Sequence, residues 1–270
     1  MLKVKKLSYA FGPKQVLSDI SLDIAEGSFY AVMGANGCGK TTLLRCMDNL
    51  LEIPADTVFL GGKDITAYTS RQRAMQVAYV AQRPTSDVDF SAFEIVLMGR
   101  NPYQRHLQNE SQHDWDIVEQ CMRMTNTWHL RFSTLAQMSG GEVQRVMIAR
   151  ALAQQTPVLL LDEPLANLDI SHQLEILGIL TKINREQGKT IVLIIHDLNM
   201  ALHYCPKLIL LHDRHVAFCG DTAEGLSEEN IRRVFGVNPK IETIDGRKYV
   251  LIRNSEFGTF SSAKLIRNEI

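Results

Sequence analysis

No stretch of this sequence stays apolar for the roughly 18–20 residues that a membrane-spanning helix needs. The longest runs are short: Val158 to Leu161, Ile191 to Ile195 and Leu208 to Leu211. Cysteine is scarce, five in 270 residues, odd in number and with no C-x-x-C pair. A disulfide framework and a zinc site are therefore not expected. Charge is nearly balanced, a net −1, so no global basic field draws the chain to nucleic acid or anionic lipid, and no nucleic-acid partner is expected. The cysteine pattern fits a reducing cytoplasm, and Met1–Lys6 has no apolar segment behind its lysines, which reads against a signal peptide. There is no internal repeat and no low-complexity tract. The hydrophobic and charged fractions, 45% and 22%, are those of a globular protein.

Strands and helices alternate along the chain. Leu2–Leu7 and part of Val16–Ile24 follow the period of two of a half-buried strand, and Phe29–Met33 is a short buried strand. A glycine-rich stretch and a helix from about Lys40 to Leu51 follow. Residues 57 to 81 read as strand, with Val77–Val80 buried. Apolar spacing of three and four predicts helices over Glu94–Arg100, His113–Asn126 and Glu142–Ala153, a helical block set into an α/β core. Pro157–Leu161, Ile170–Gln187 and Thr190–Ile195 read as a parallel βαβ crossover. Leu208–Leu211 and His215–Cys219 read as a hairpin, with His212-Asp213-Arg214 in its turn and no metal pair at His212 and His215. Ser227 caps a helix that ends before Gly236. Residues 254–270 read as a loosely held tail, and deleting 255–270 is expected to leave turnover intact.

Two groups of residues carry chemistry. Gly34-Ala35-Asn36-Gly37-Cys38-Gly39-Lys40-Thr41 fits G-x-x-x-x-G-K-[ST] between a buried strand and a helix, the context that a phosphate-binding loop requires. Its glycines let backbone N–H groups face phosphate oxygens, and the helix N-terminus favours an anion. Lys40 would reach the β- and γ-phosphates and Thr41 would ligate Mg²⁺. Asp162-Glu163 ends a buried strand, where parallel sheets bind ligands. Asp162 suits Mg²⁺, and Glu163 suits a general base toward water. Cys38 reads as a small filler residue rather than a nucleophile.

Met138-Ser139-Gly140-Gly141-Glu142 closely resembles the L-S-G-G-Q signature of ABC-type ATPases. Ser139 lies 99 positions after Lys40 and 23 before Asp162, spacings typical of that family. Gln82 is similar to its Q-loop glutamine, Asn167-Leu168-Asp169 to its D-loop and His196 to its switch histidine. Phe11 stands where the family stacks an aromatic ring on adenine, with Tyr9 a competing candidate. The resemblance covers residues 1–252. It implies a P-loop α/β core with an antiparallel β subdomain and an α-helical subdomain inserted at about 83–155, followed by a tail at 253–270. It also implies ATP hydrolysis with Mg²⁺ held by Thr41, Gln82 and Asp162. Glu163, His196 and Gln82 would be catalytic. Phe11, Gly34, Asn36, Gly37, Gly39, Lys40, Thr41, Thr42, Ser139, Gly140, Gly141, Asp162 and Asp169 would bind nucleotide.

One chain has one P-loop and one signature, so the resemblance implies a homodimer with each ATP sandwiched between two copies. It further implies integral-membrane permease subunits, an extracytoplasmic binding protein and a place on the cytoplasmic face of the inner membrane. Gly99-Arg100-Asn101-Pro102-Tyr103 is similar to a G-R-x-P-aromatic stretch in importers of iron–siderophore complexes, haem and cobalamin. On that resemblance Arg100 is expected at the permease-facing surface, where Arg100→Glu would impair transport more than basal ATPase. The rival reading is a soluble ABC ATPase outside transport, such as an iron–sulfur cluster assembly ATPase.

Overall fold

The computed structural model describes residues 2–82, 89–104 and 110–253. The expected tail at 254–270 and the start of the helical block at 83 lie outside the described residues. Arg253 pairs with Asn238 at the end of the last strand.

β1 (Leu2–Phe11) buries Leu2, Val4 and Leu7 and exposes Lys5 and Lys6. It turns through Gly12-Pro13 into the antiparallel β2 (Lys14–Ile24). β3 (Phe29–Met33) is buried throughout, and α1 (Lys40–Met47) follows it. β4 (Val58–Leu60) and β5 (Lys63–Asp64) complete an antiparallel sheet in the order β2-β1-β4-β5. The strand signals of 57–81 are interrupted by a short helix, α2 (Ser70–Ala74). Thr69 and Gln72 form a capping box that satisfies the first amides of that turn and overrides the strand-like composition.

β6 (Val77–Val80) is followed by α3 (Ala92–Leu97), α4 (Gln112–Met124) and α5 (Gly140–Ala153), and then by β7 (Val158–Leu161). β6 and β7 are parallel neighbours, so all three helices belong to one excursion between adjacent strands. α6 (Ile170–Gln187) and β8 (Thr190–Ile194) complete the expected βαβ unit, with β8 parallel to β7. After α7 (Leu198–Tyr204), β9 (Lys207–His212) and β10 (His215–Asp221) form the expected hairpin. Asp213 and Arg214, at φ 46° and 70°, make the two-residue turn whose twist matches paired strands. α8 (Thr222–Gly225), α9 (Glu228–Phe235) and a hairpin of β11 (Asn238–Ile244) and β12 (Arg247–Arg253) close the described chain.

The large sheet runs β10-β9-β3-β8-β7-β6. Its central strands are apolar on both faces, as a parallel sheet covered on both sides requires. Phe29, Ala31, Met33, Leu159, Leu161, Ile191 and Leu193 face one core with the helices. Tyr30, Val32, Val158, Leu160, Val192 and Ile194 face a second core with α1 and the antiparallel sheet. Strand pleating thus ties the layers together, and the parallel pairing of β3, β8, β7 and β6 brings their C-terminal ends to one edge.

Candidate active site

β3 ends in the phosphate-loop sequence. Gly34 has φ 153°, and a Cβ there would stand 2.4 Å from the Leu211 carbonyl oxygen. Gly39 has φ 105°, and a Cβ there would meet Leu17 Cδ2 at 2.7 Å. Only glycine fits either position. Lys40 is 5% exposed. Its Nζ donates to the carbonyls of Gly34 and Ala35 at 3.0 and 3.1 Å, so the ammonium spans the mouth of its own loop. Asn36 and Gly37 are exposed on the rim, and Thr42 is buried beneath it. Burial pushes the Cys38 thiol up against the opposing pull of Lys40, so the group stays a neutral thiol, in keeping with a filler role.

Asp162 is buried at the end of β7, its N–H donating to the Val80 carbonyl. Oδ1 accepts from Thr41 Oγ1 at 2.8 Å and Oδ2 from the Tyr79 hydroxyl at 2.7 Å. Burial, and then the bond to Asp162, pushes the Tyr79 hydroxyl far up, so it remains a donor. Tyr79 was not legible as a site residue: it sits in a strand and belongs to no motif.

Glu163 lies in the left-handed region at φ 50°, an uncommon conformation for a residue that precedes proline. The turn aims its carboxylate out of the strand and into the crevice. Gln82 Nε2 donates to Oε2 at 2.5 Å, and His196 Nε2 lies 2.8 Å from Oε1. Gln82 and His196 follow β6 and β8, so segments following three neighbouring strands converge on one carboxylate. A cavity of about 200 Å³ adjoins it, lined in part by Asn167, Asp197 and Met200.

Ser139 and Asp169 begin α5 and α6. The Ser139 hydroxyl donates to Glu142 Oε2 at 2.8 Å and accepts the Glu142 amide at 3.3 Å, a capping box. The Ser139 N–H and hydroxyl hold the Glu142 carboxyl below its usual range. Asp169 caps α6 and is lowered first by the His172 amide and then by the Ser171 hydroxyl. Among the described residues, no hydrogen bond or ion pair joins Ser139, Gly140 or Gly141 to residues 34–42. Within one copy, the expected nucleotide-binding residues form two groups that share no such bond. Phe11 is 50% exposed and meets Tyr9 edge-on at 5.1 Å. Tyr9 packs against the second core, which leaves Phe11 the freer ring.

Arg100 overturns its expected surface position. It is 3% exposed. It donates to Asp114 Oδ1 at 2.9 Å, to the Ala153 carbonyl at 2.7 Å and to Gln155 Oε1 at 2.9 Å, and it stacks on Tyr103. Gly99 is equally committed, since a Cβ there would lie 2.3 Å from the Arg150 carbonyl oxygen. The G-R-x-P-aromatic stretch is thus an internal clamp, its charge satisfied within the helical block. His212 and His215 are paired across the β9–β10 turn, and among the described residues no cluster of three or more His, Cys, Asp or Glu could hold a metal.

A family model described as ABC transporter matches residues 17–166. The chain is 36% identical to the ferric enterobactin transport ATP-binding protein of Escherichia coli (strain K12) over 236 residues, 87% of each chain. It is 35% identical to the hemin import ATP-binding protein of Bordetella pertussis (strain Tohama I) over 263 residues, 93% of this chain and 99% of that protein. Among solved structures it superposes on an inward-facing transporter classed as metal-chelate type, with a TM-score of 0.81 at 25% identity, covering 94% of this chain and 98% of that one. It also superposes on the dimeric ATP-binding cassette MJ0796 in a post-hydrolysis state bound to ADP and Pi. That match has a TM-score of 0.72 at 28% identity and covers 82% of this chain and 99% of that one.

Proposed function

The chain belongs to the ABC transporter family of ATPases, and on that premise we propose that it is the ATP-hydrolysing subunit of a bacterial importer for an iron chelate, haem or cobalamin. The relatives named for ferric enterobactin and hemin support that substrate class. The subunit works as a homodimer bound to integral-membrane permease subunits, which an extracytoplasmic binding protein supplies with substrate. Its place is peripheral, on the cytoplasmic face of the inner membrane. No helix among the described residues is long and apolar enough to cross a membrane.

ATP lies with adenine on the Phe11 ring and its phosphates over the 34–39 loop, facing Lys40. Thr41 and Asp162 place two hard oxygens 2.8 Å apart, and Gln82 bonds Glu163 through its nitrogen, which leaves its amide oxygen available. This donor set fits Mg²⁺, which would be held by Thr41, Gln82 and Asp162 and would neutralise charge on the β- and γ-phosphates. Glu163 accepts a proton from the water that attacks the γ-phosphorus in line with the departing ADP oxygen. His196 and Gln82 hold that carboxylate in place, since positioning dominates phosphoryl transfer. Ser139, Gly140 and Gly141 of a second copy close over the γ-phosphate with helix-start donors, and Asp169 lies at the same seam. ATP binds the closed dimer better than the open one, and hydrolysis removes that difference.

The observation that carries this reading is the convergence of Gln82 and His196 on Glu163, beside the Thr41–Asp162 pair. Glu163→Gln keeps the shape and removes most of the basicity. It should retain ATP binding, lose hydrolysis by about 10²-fold or more and accumulate as an ATP-bound dimer. Size-exclusion chromatography with and without Mg-ATP, alongside phosphate release, tests this. Hydrolysis at the parental rate would remove Glu163 from the mechanism.

A further inference from the structure

We infer that His172 is a positioning residue that locks the signature turn at 139–141 to the D-loop at 167–169, and thereby couples the two ATP sites of the dimer. The inference rests on the reading above, in which Ser139–Gly141 serve the nucleotide held by the other copy.

The contacts are direct. His172 occupies the first turn of α6, and its Nδ1 lies 2.9 Å from Asp169 Oδ1. The same oxygen accepts the His172 amide at 2.9 Å and the Ser171 hydroxyl at 2.8 Å. Three contacts on Oδ1 fix the carboxylate, and Oδ2 has no donor among the described residues. The imidazole meanwhile lies flush on the signature: a Cβ on Gly141 would stand 2.8 Å from its Cγ and 2.9 Å from its Cδ2. The ring fills the space that any other residue at 141 would need. The signature glycine therefore gives room to His172 within its own chain, besides baring a backbone amide.

The neighbouring residues extend this link to the catalytic carboxylate. Gln173 donates to the carbonyls of Leu165 and Leu168 at 3.1 and 3.0 Å, holding the segment that leads from Glu163 to Asp169. One turn further along α6, Glu175 pairs with Arg145 of α5 at 2.8 Å. A displacement of the 163–169 segment, where one ATP is hydrolysed, is transmitted through Asp169 and His172 to Gly141, which caps the other ATP. His172 touches no reacting atom. It sets the geometry between two loops that serve different nucleotides, and packed contacts of this kind transmit displacement rather than absorb it.

Two substitutions separate the hydrogen bond from mere bulk. His172→Asn places a donor where Nδ1 stood and keeps Cβ and Cγ against Gly141. His172→Leu keeps bulk on Gly141 and loses the bond. In the full-length chain, ATP hydrolysis should rise sigmoidally with ATP concentration. His172→Leu should make it hyperbolic and lower kcat by about tenfold, as for a misplaced catalytic loop. Half-saturation should shift less than about twofold, because the adenine and phosphate-loop contacts are untouched. His172→Asn should restore both sigmoidicity and kcat. A His172→Leu variant that keeps sigmoidal, parental turnover overturns the inference. So does a loss that His172→Asn fails to restore and that follows a fall in melting temperature, since that result makes the residue a helix cap alone. If Glu163→Gln forms no ATP-bound dimer, the sandwich reading fails, and this coupling fails with it.

Discussion

Glu163 and Asp48 show how differently two carboxylates in one fold are treated. Glu163 is held by Gln82 and His196 at a crevice. Asp48, at the end of α1, is 6% exposed and meets Arg73 Nε at 3.7 Å. Burial pushes its carboxyl up to about 7, only partly opposed by Arg73. The folded chain therefore binds a proton at Asp48 more tightly than the unfolded chain does. Stability associated with this residue is greatest at and below its ordinary range near pH 4, and falls as pH rises toward 7. Asp48→Asn removes that loss. Its melting temperature relative to the parent should rise from pH 5 to pH 8, by the equivalent of a few kcal/mol at most. A difference that stays flat across that range would show that the carboxyl titrates as an exposed one does.

At the scale of elements, the helical block hangs on its clamp. Arg100 joins the turn after α3 to Asp114 at the start of α4 and to the end of α5. Although burial pushes Asp114 up, Ser111 and Arg100 hold its carboxyl below the usual range. Breaking a buried pair by removing one partner costs about 3–5 kcal/mol, a large share of a typical 5–15 kcal/mol total. Arg100→Glu adds a second carboxylate beside the first. ATPase and transport should therefore fall together, with a lower melting temperature and less soluble protein, instead of the selective loss of transport expected from a surface position. Arg100→Lys should recover only part of the stability, because one ammonium cannot reproduce the planar fork. A normal melting curve for Arg100→Glu would contradict the clamp.

At the scale of the whole molecule, the proposed division of the nucleotide site between two copies makes Glu142 consequential. Its carboxylate holds the Ser139 hydroxyl beside the place where the partner's γ-phosphate would come. A glutamine can form the same capping box without the negative charge. Glu142→Gln should therefore strengthen ATP-dependent dimerisation several-fold, most clearly at low salt, where the repulsion is least screened. Sedimentation of the Glu163→Gln parent against the double variant, with Mg-ATP at two salt concentrations, measures it. An unchanged dimer fraction would place the carboxylate too far from the phosphate to matter.

What depends on near neighbours along the chain was legible in the residues themselves. The phosphate loop, the Asp162-Glu163 pair, the signature, the span of α6 and the β9–β10 turn are local patterns recognisable within a short stretch of chain. Spacing and the family resemblance were enough to name Gln82 and His196. How distant residues meet depends on the way the strands and helices pack. Only the parallel pairing of β6, β7 and β8 brings Gln82, Glu163 and His196 together. Tyr79 reaches Asp162 across 83 positions and Arg100 reaches Gln155 across 55, and His172 meets Gly141 where two helices begin. Arg100 shows the reason most plainly. An arginine after a helix reads as surface because an isolated buried charge is costly, and its burial becomes favourable only when folding delivers Asp114, the Ala153 carbonyl and Gln155 to its guanidinium at once.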